Sequence, residues 1–119
     1  MAYPGGEVNY NEHIAEVIKN NTGIKYARTT VSSNNFDMQK DLYVFKPTVY
    51  HYAEWDKMTE LANEFIELKT DTPKILYIWG HAYEFDIDNS WDNFDKFCKL
   101  ISCKDDIFYG TNREVLKAD

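Results

Sequence analysis

The sequence predicts an α/β protein in which about four short parallel strands alternate with helices. The first observation is the apolar run at residues 75–79, which is too short and too rich in β-branched and aromatic residues for a helix. It indicates a strand buried on both faces, as in the centre of a parallel sheet. The second observation is that such runs alternate with segments of helical spacing. Strands and helices in this order correspond either to half of a barrel or to half of a doubly wound sheet.

The amino-terminal part predicts a strand end, a helix and two short strands. It opens with Pro-Gly-Gly at residues 4–6, a turn with almost no lead-in, as though the chain had been cut at the end of a strand. Asn9 and Glu12 resemble a capping box, and the apolar stripe that follows indicates a first helix. After it, residues 24–28 and 42–45 predict two short strands separated by a polar loop.

The carboxyl-terminal part predicts three helices around the central strand. Residues 54–69 carry apolar side chains on one helical face. Ser90 can cap a helix whose apolar residues again repeat at helical spacing. Residues 107–109 indicate a last short strand, and Thr-Asn-Arg-Glu at 111–114 is a capping box that opens a final helix. Both ends of the chain look cut.

Length and charge exclude several classes of function. At 119 residues, the chain is one domain at most. Its net charge of -7 opposes binding to nucleic acid, and no local Lys/Arg cluster offsets it. No apolar run approaches the roughly 20 residues of a membrane span, and no basic segment precedes an apolar one at the amino terminus. We therefore expect a cytoplasmic protein with reduced thiols at Cys98 and Cys103.

The first candidate for chemistry is His81, which follows the central strand after Gly80. Parallel sheets carry catalytic and binding groups at the carboxyl ends of their strands, and an imidazole can deliver a proton near neutral pH. Trp79 and Tyr83 have aromatic faces that can stack on sugar rings, although aromatic residues beside a buried strand are core at least as often. A His in such a loop is also often no more than a hydrogen-bonded structural residue, and this reading fits His51 better than a site role.

Longer motifs carry a resemblance to a known family. Residues 77–86 read YIWGHAYEFD and residues 105–114 read DDIFYGTNRE. This sequence resembles the carboxyl-terminal part of the polysaccharide deacetylase (NodB-like) family, which includes chitooligosaccharide and xylan deacetylases. Tyr-Ala-Arg-Thr at 26–29, Lys-Pro-Thr at 46–48 and His51 also fit the pattern, so that the resemblance covers essentially the whole chain.

The resemblance implies a distorted (β/α) barrel that hydrolyses acetyl groups of amino sugars or sugar esters, with a divalent metal holding the attacking water. His81 matches the family's late His, which protonates the leaving group. Gly5 and Gly6 match a turn whose backbone amide helps to hold the oxyanion, although Gly5 stands where the family usually has Tyr, and Ala2 where many members have Arg. We expect substrate contacts from Trp79, Tyr83, Glu84 and His51.

The family's T-F-D-D-G and H-x-x-x-H motifs, which hold the base and the metal, have no counterpart in this sequence. The chain is thus expected to be the second half of a deacetylase barrel, to hold no metal itself and to be inactive alone, with zinc or another divalent metal only in a full-length protein. Its expected partners are an acetylated carbohydrate and either a second copy or a separate amino-terminal half. The alternative is a non-catalytic carbohydrate-binding or interaction protein left by truncation.

Overall fold

The structure, a computed structural model, describes residues 1–117 and has within them five α-helices and one two-stranded parallel sheet. The helices are α1 (Glu12–Asn21), α2 (Trp55–Glu67), α3 (Glu84–Ile87), α4 (Trp91–Ile101) and α5 (Asn112–Leu116), and the strands are β1 (Val49–Tyr50) and β2 (Ile78–Trp79). Two 3-10 helices, Gly6–Asn9 and Leu42–Val44, lie before β1.

The predicted fold class, half of a (β/α) barrel with about four parallel strands, is wrong. The described residues are rich in helix, and their one sheet has two strands of two residues each. The predicted strand at 24–28 is reduced to Arg28, which forms isolated parallel bridges to Ala2 and Phe45. Residues 107–109 form no strand.

Local hydrogen bonds explain why residues 42–45 and residues 107–109 do not form the predicted strands. The Asp41 side chain accepts a hydrogen bond from the Tyr43 amide and so folds the predicted strand at 42–45 mainly into a 3-10 turn. The Tyr109 hydroxyl donates to the Ile101 carbonyl, which ties the last predicted strand to the end of α4. Both segments have the apolar composition of strands. Side-chain hydrogen bonds to nearby parts of the same chain hold their backbones in other conformations.

The predicted helix ends agree better with the structure. Thr111 and Glu114 form the predicted capping box of α5, with both reciprocal hydrogen bonds present. The first helix is also present, but Asn11 rather than Asn9 caps it, by accepting a hydrogen bond from the Ile14 amide. The helices predicted at 54–69 and after Ser90 are confirmed as α2 and α4.

The main core lies where α2 and α4 pack against β1. Its buried side chains are Val49, Met58, Leu61, Ala62 and Phe97. A second buried cluster consists of Phe45, Ile75 and Leu116. Burial of this kind supplies most of the stability of a small domain. Because Val49 of β1 is fully buried in the main core, the residues that follow β1 are held in place relative to β2.

Cys98 and Cys103 are both exposed and free, as expected. Among the helices of residues 1–117, none has the length and apolar character needed to cross a membrane.

Candidate functional site

The predicted proton donor, His81, lies two residues beyond β2, and its side chain is exposed. Its ring stacks on the ring of Tyr83, with 5.3 Å between the centroids and 14° between the planes. It also makes an edge contact with the ring of Trp79, at 6.0 Å between centroids. Tyr83 is 60% exposed and Trp79 is partly exposed. Trp79, His81 and Tyr83 therefore form one continuous surface after β2, which we call the aromatic surface.

A buried carboxylate lies directly against this surface. Glu84, the first residue of α3, is 5% exposed, and three donors surround it. Its Oε2 accepts a hydrogen bond from the His81 amide at 2.9 Å and lies 3.1 Å from Nε2 of His51. Its Oε1 accepts a hydrogen bond from the Tyr50 hydroxyl. A carboxylate is costly to bury unless it is paired and hydrogen-bonded, and these three donors meet that requirement.

The geometry around His51 fixes which of its ring nitrogens carries a proton. Besides Glu84, the Nε2 atom of His51 lies 3.3 Å from the carbonyl oxygen of His81. Carboxylate and carbonyl oxygens can only accept, so Nε2 is the donor to both. Nδ1 is buried and has no hydrogen-bond partner among residues 1–117. The ring packs on Phe85 of α3, with 4.5 Å between the centroids.

Gly80 makes this close approach possible. The His51 amide donates to the Trp79 carbonyl at 3.1 Å, so that the chain after β1 runs beside the chain after β2. The His51 ring then lies so close to the Gly80 backbone that a Cβ atom at Gly80 would overlap it. A residue without a side chain is therefore required between Trp79 and His81.

Two further residues, Tyr50 and Arg28, belong to the cluster although neither was predicted as a site residue; Arg28 was noted only within the Tyr-Ala-Arg-Thr segment at 26–29. Tyr50 pairs with Trp79 in the sheet, and their rings stack with 4.4 Å between the centroids. The Arg28 guanidinium carbon lies 4.3 Å from the centroid of the Trp79 ring. The available signals were positional: Tyr50 precedes a candidate residue, His51, and Arg28 ends a predicted strand.

Burial shifts the pKa values of Tyr50 and Arg28. It raises the pKa of Tyr50, and the hydrogen bond to Glu84 raises that pKa further. Burial also lowers the pKa of the Arg28 guanidinium, because the charged form is partly removed from water. An arginine remains charged after such a shift, since its ordinary pKa is far above neutral.

The predicted oxyanion turn makes its contacts elsewhere. Gly5 and Gly6 have φ angles of 69° and 72°, a conformation that favours glycine. The Gly6 amide donates to the Tyr3 carbonyl at 3.3 Å, and a Cβ atom on Gly6 would lie 3.3 Å from the Thr30 side chain. The turn thus packs on the segment that follows Arg28. The other predicted site residues, namely Trp79, His81, Tyr83, Glu84 and His51, come together in the cluster described above.

The side chains of residues 1–117 do not fit a divalent metal. Within residues 1–117, no three His, Cys, Asp or Glu side chains converge in a way that would hold an ion. In addition, His51 and Glu84 face each other rather than a shared ligand position. A cavity of about 1300 Å³ lies between the ends of α2 and α4 and helix α5, and none of the predicted site residues lines it.

Comparisons with known proteins add no assignment. No protein-family model matches this chain, no curated protein matches it, and no solved structure matches it.

Proposed function

We propose that this protein binds acetylated carbohydrate at its aromatic surface and is the part of a polysaccharide deacetylase that carries the proton donor, His81. In such an enzyme a divalent metal would activate the attacking water, and the metal ligands and the general base would come from motifs that this sequence lacks. The chain by itself is therefore expected to bind the substrate without hydrolysing it.

The observation that carries the proposal is the stacking of His81 on Tyr83 beside Trp79. Aromatic faces suit the apolar faces of sugar rings, and an exposed imidazole between them is positioned to give a proton to a departing amine or alkoxide. The motif at residues 77–86, with its resemblance to the deacetylase family, supports the same role for His81.

The buried residues have a positioning role in this proposal. Glu84 holds the His81 amide, while His51 approaches the carbonyl of the same residue. The His81 backbone is thus held on both sides and its ring is left exposed. Because these contacts involve the backbone of His81, they fix the position of its Cα atom. The ring nitrogens that would transfer the proton take no part in them.

A second candidate is a non-catalytic carbohydrate-binding protein. The observation that favours it is that the carboxylate nearest to His81, that of Glu84, is already occupied by three donors and buried. It is therefore not free to act as a base, and the accessible part of the cluster consists mainly of aromatic rings. Binding of the same sugars, without a part in hydrolysis, would follow from the same surface.

The test is to titrate the purified chain with N-acetylated chitooligosaccharides and acetylated xylooligosaccharides. Binding is measured by calorimetry and by the NMR signals of the Trp79 indole and the His81 ring. We expect binding by the wild type and a roughly tenfold loss of affinity for Tyr83→Ala, because one stacking face is removed. Phe108→Ala is the matched control, since Phe108 is an exposed aromatic residue of a different surface, at 70% exposure. Absence of binding at millimolar sugar, or equal losses in the two variants, would contradict the proposal.

The two candidates separate in a second experiment, in which a deacetylase that lacks only its late His is supplied with the purified chain. Acetate release that depends on His81, and is lost in His81→Ala while sugar binding remains, favours the enzyme. Binding without any acetate release favours the non-catalytic protein.

A further inference from the structure

Arg28 is a half-buried cation with few partners. Its Nη1 atom donates to the carbonyl oxygen of Thr29 at 2.8 Å, and its guanidinium lies over the Trp79 ring. Among residues 1–117, no carboxylate lies within ion-pair distance of it: the ion pairs there involve His51, Lys57, Lys74 and Lys99. A guanidinium has five N–H donors. Among residues 1–117, the hydrogen bond to Thr29 uses one of those of Arg28, and no carboxylate uses the others.

A second donor beside Arg28 is also without a partner. The indole N–H of Trp79 is buried, and no acceptor for it exists among residues 1–117. Elsewhere in the described chain, indole donors do find acceptors: Trp91 donates to Asp86 at 2.7 Å. The indole N–H is enclosed, whereas the guanidinium over the ring is only partly buried, so Arg28 is the donor that a negatively charged hydrogen-bond acceptor can reach.

We infer that Arg28, beside Trp79, forms a subsite for the carboxylate of an acidic sugar, such as a uronic acid residue within an acetylated polysaccharide. A planar guanidinium binds a carboxylate through two parallel hydrogen bonds, and the contact of Arg28 with the Trp79 ring places it next to the aromatic surface. The protein as a whole carries a net charge of -7, so the attraction for an anion is local to this position.

This inference rests on the proposed function and specifies its substrate class. Arg28 contacts Trp79, which is itself part of the aromatic surface, so that the carboxylate-bearing residue would lie next to the sugar at His81 and Tyr83. The preferred substrate then combines acetylated and acidic residues in one chain.

The experiment compares two tetrasaccharides by calorimetry. One is a hyaluronan tetrasaccharide, in which glucuronate alternates with N-acetylglucosamine, and the other is its carboxyl-reduced, neutral derivative. We expect the acidic ligand to bind at least roughly tenfold more tightly, and this preference to shrink in high salt. Arg28→Gln should remove the preference, so that this variant binds the acidic and the neutral ligand with the same affinity. The control Lys99→Gln removes the same charge from a side chain that is 75% exposed on α4, and it should keep the preference.

The remaining outcomes are also decisive. Equal binding of both tetrasaccharides by the wild type would overturn the carboxylate subsite and leave the proposed function intact, whereas binding of neither would contradict both. Acetate competing as strongly as the acidic tetrasaccharide would show recognition of a free carboxylate and overturn the sugar assignment. If Arg28→Gln does not fold, a shift of the Trp79 indole signal by the acidic ligand alone, in the wild-type protein, still tests the subsite, and its absence would refute it.

Discussion

His51 and Glu84 form a buried pair, in which Nε2 of His51 lies 3.1 Å from Oε2 of Glu84 and each side chain is 6% exposed. One residue follows β1 and the other begins α3, so the pair joins the sheet to the helical half of the chain. The Glu84 carboxylate of this pair also accepts hydrogen bonds from the Tyr50 hydroxyl and from the His81 amide.

The first prediction concerns this pair. Glu84→Gln keeps the size of the side chain but replaces one accepting oxygen by an NH₂ group that faces other donors. We expect the free energy of unfolding to fall by about 3 kcal/mol, as found when one partner of a buried pair is removed. Urea unfolding measures the change. The control Glu54→Gln removes a carboxylate whose contact with Lys57 is exposed, and it should change stability by less than about 1 kcal/mol. A similar effect of the two substitutions would contradict the role of the buried pair.

The second prediction concerns Gly80. In Gly80→Ala the new methyl group overlaps the His51 ring, so we expect a loss of about 2 kcal/mol or more in the free energy of unfolding. Gly23→Ala is the control, because nothing lies within 4 Å of a Cβ atom built at Gly23. The double variant Gly80→Ala, His51→Ala should lose much less than the sum of the single losses, since removing the ring removes the overlap. Additive losses would argue that the two residues are not in contact.

The third prediction is a pH dependence of stability that arises at Tyr50. Its pKa is raised in the folded protein, first by burial and then by Glu84, while the unfolded chain keeps the ordinary tyrosine pKa of about 10. Below about pH 10 the hydroxyl is protonated in both states, and the stabilisation is fully present. Above that pH the unfolded chain releases the proton first, so the free energy of unfolding decreases as the pH rises. Tyr3 and Tyr77 also have raised pKa values and contribute in the same direction.

Tyr50→Phe tests this assignment. It leaves Oε1 of Glu84 without its donor, so we expect a loss of about 1–3 kcal/mol at neutral pH, and a smaller difference from the wild type above about pH 10. Tyr83→Phe changes a tyrosine that is 60% exposed and should leave both quantities nearly unaffected. A difference between Tyr50→Phe and wild type that stays constant up to pH 11 would exclude the Tyr50 hydroxyl as the source.

The fourth prediction concerns activity. The purified chain alone should release no acetate from chitooligosaccharides or acetylated xylan and should carry no stoichiometric zinc. The sequence has three His residues, and no two of them have the i, i+4 spacing of the family's metal motif. Metal analysis and an acetate assay decide the matter, and stoichiometric zinc together with acetate release would prove this expectation wrong.

The sequence predicts the helices of this protein better than its strands, and the reason is physical. Helix signals are local: the Thr111–Glu114 capping box and the apolar face of α2 depend on residues three or four positions apart. Strands depend on partners far along the chain. The apolar composition of residues 107–109 could not indicate that the Tyr109 hydroxyl would bind the end of α4 instead.

The site follows the same rule. His81, Trp79 and Tyr83 lie close together in sequence, so one motif identifies all three. Tyr50 reaches Trp79 through the parallel pairing of β1 and β2, and the Arg28 side chain reaches it from another distant segment, so no spacing in the sequence encodes either contact. Glu84 and His51 were expected to contact substrate, and their burial is likewise a property of the assembled fold.

Because the His81 amide donates a hydrogen bond to Glu84, the backbone and the ring of His81 have different environments. The ring of His81 is open to solvent, while its backbone N–H faces a buried carboxylate. Exchange of that amide with deuterated water therefore requires the loop to open, although the ring beside it stays accessible to reagents and ligands at all times. A single residue thus offers two independent readouts, with chemical modification of the imidazole reporting access to the surface and amide exchange reporting integrity of the cluster behind it.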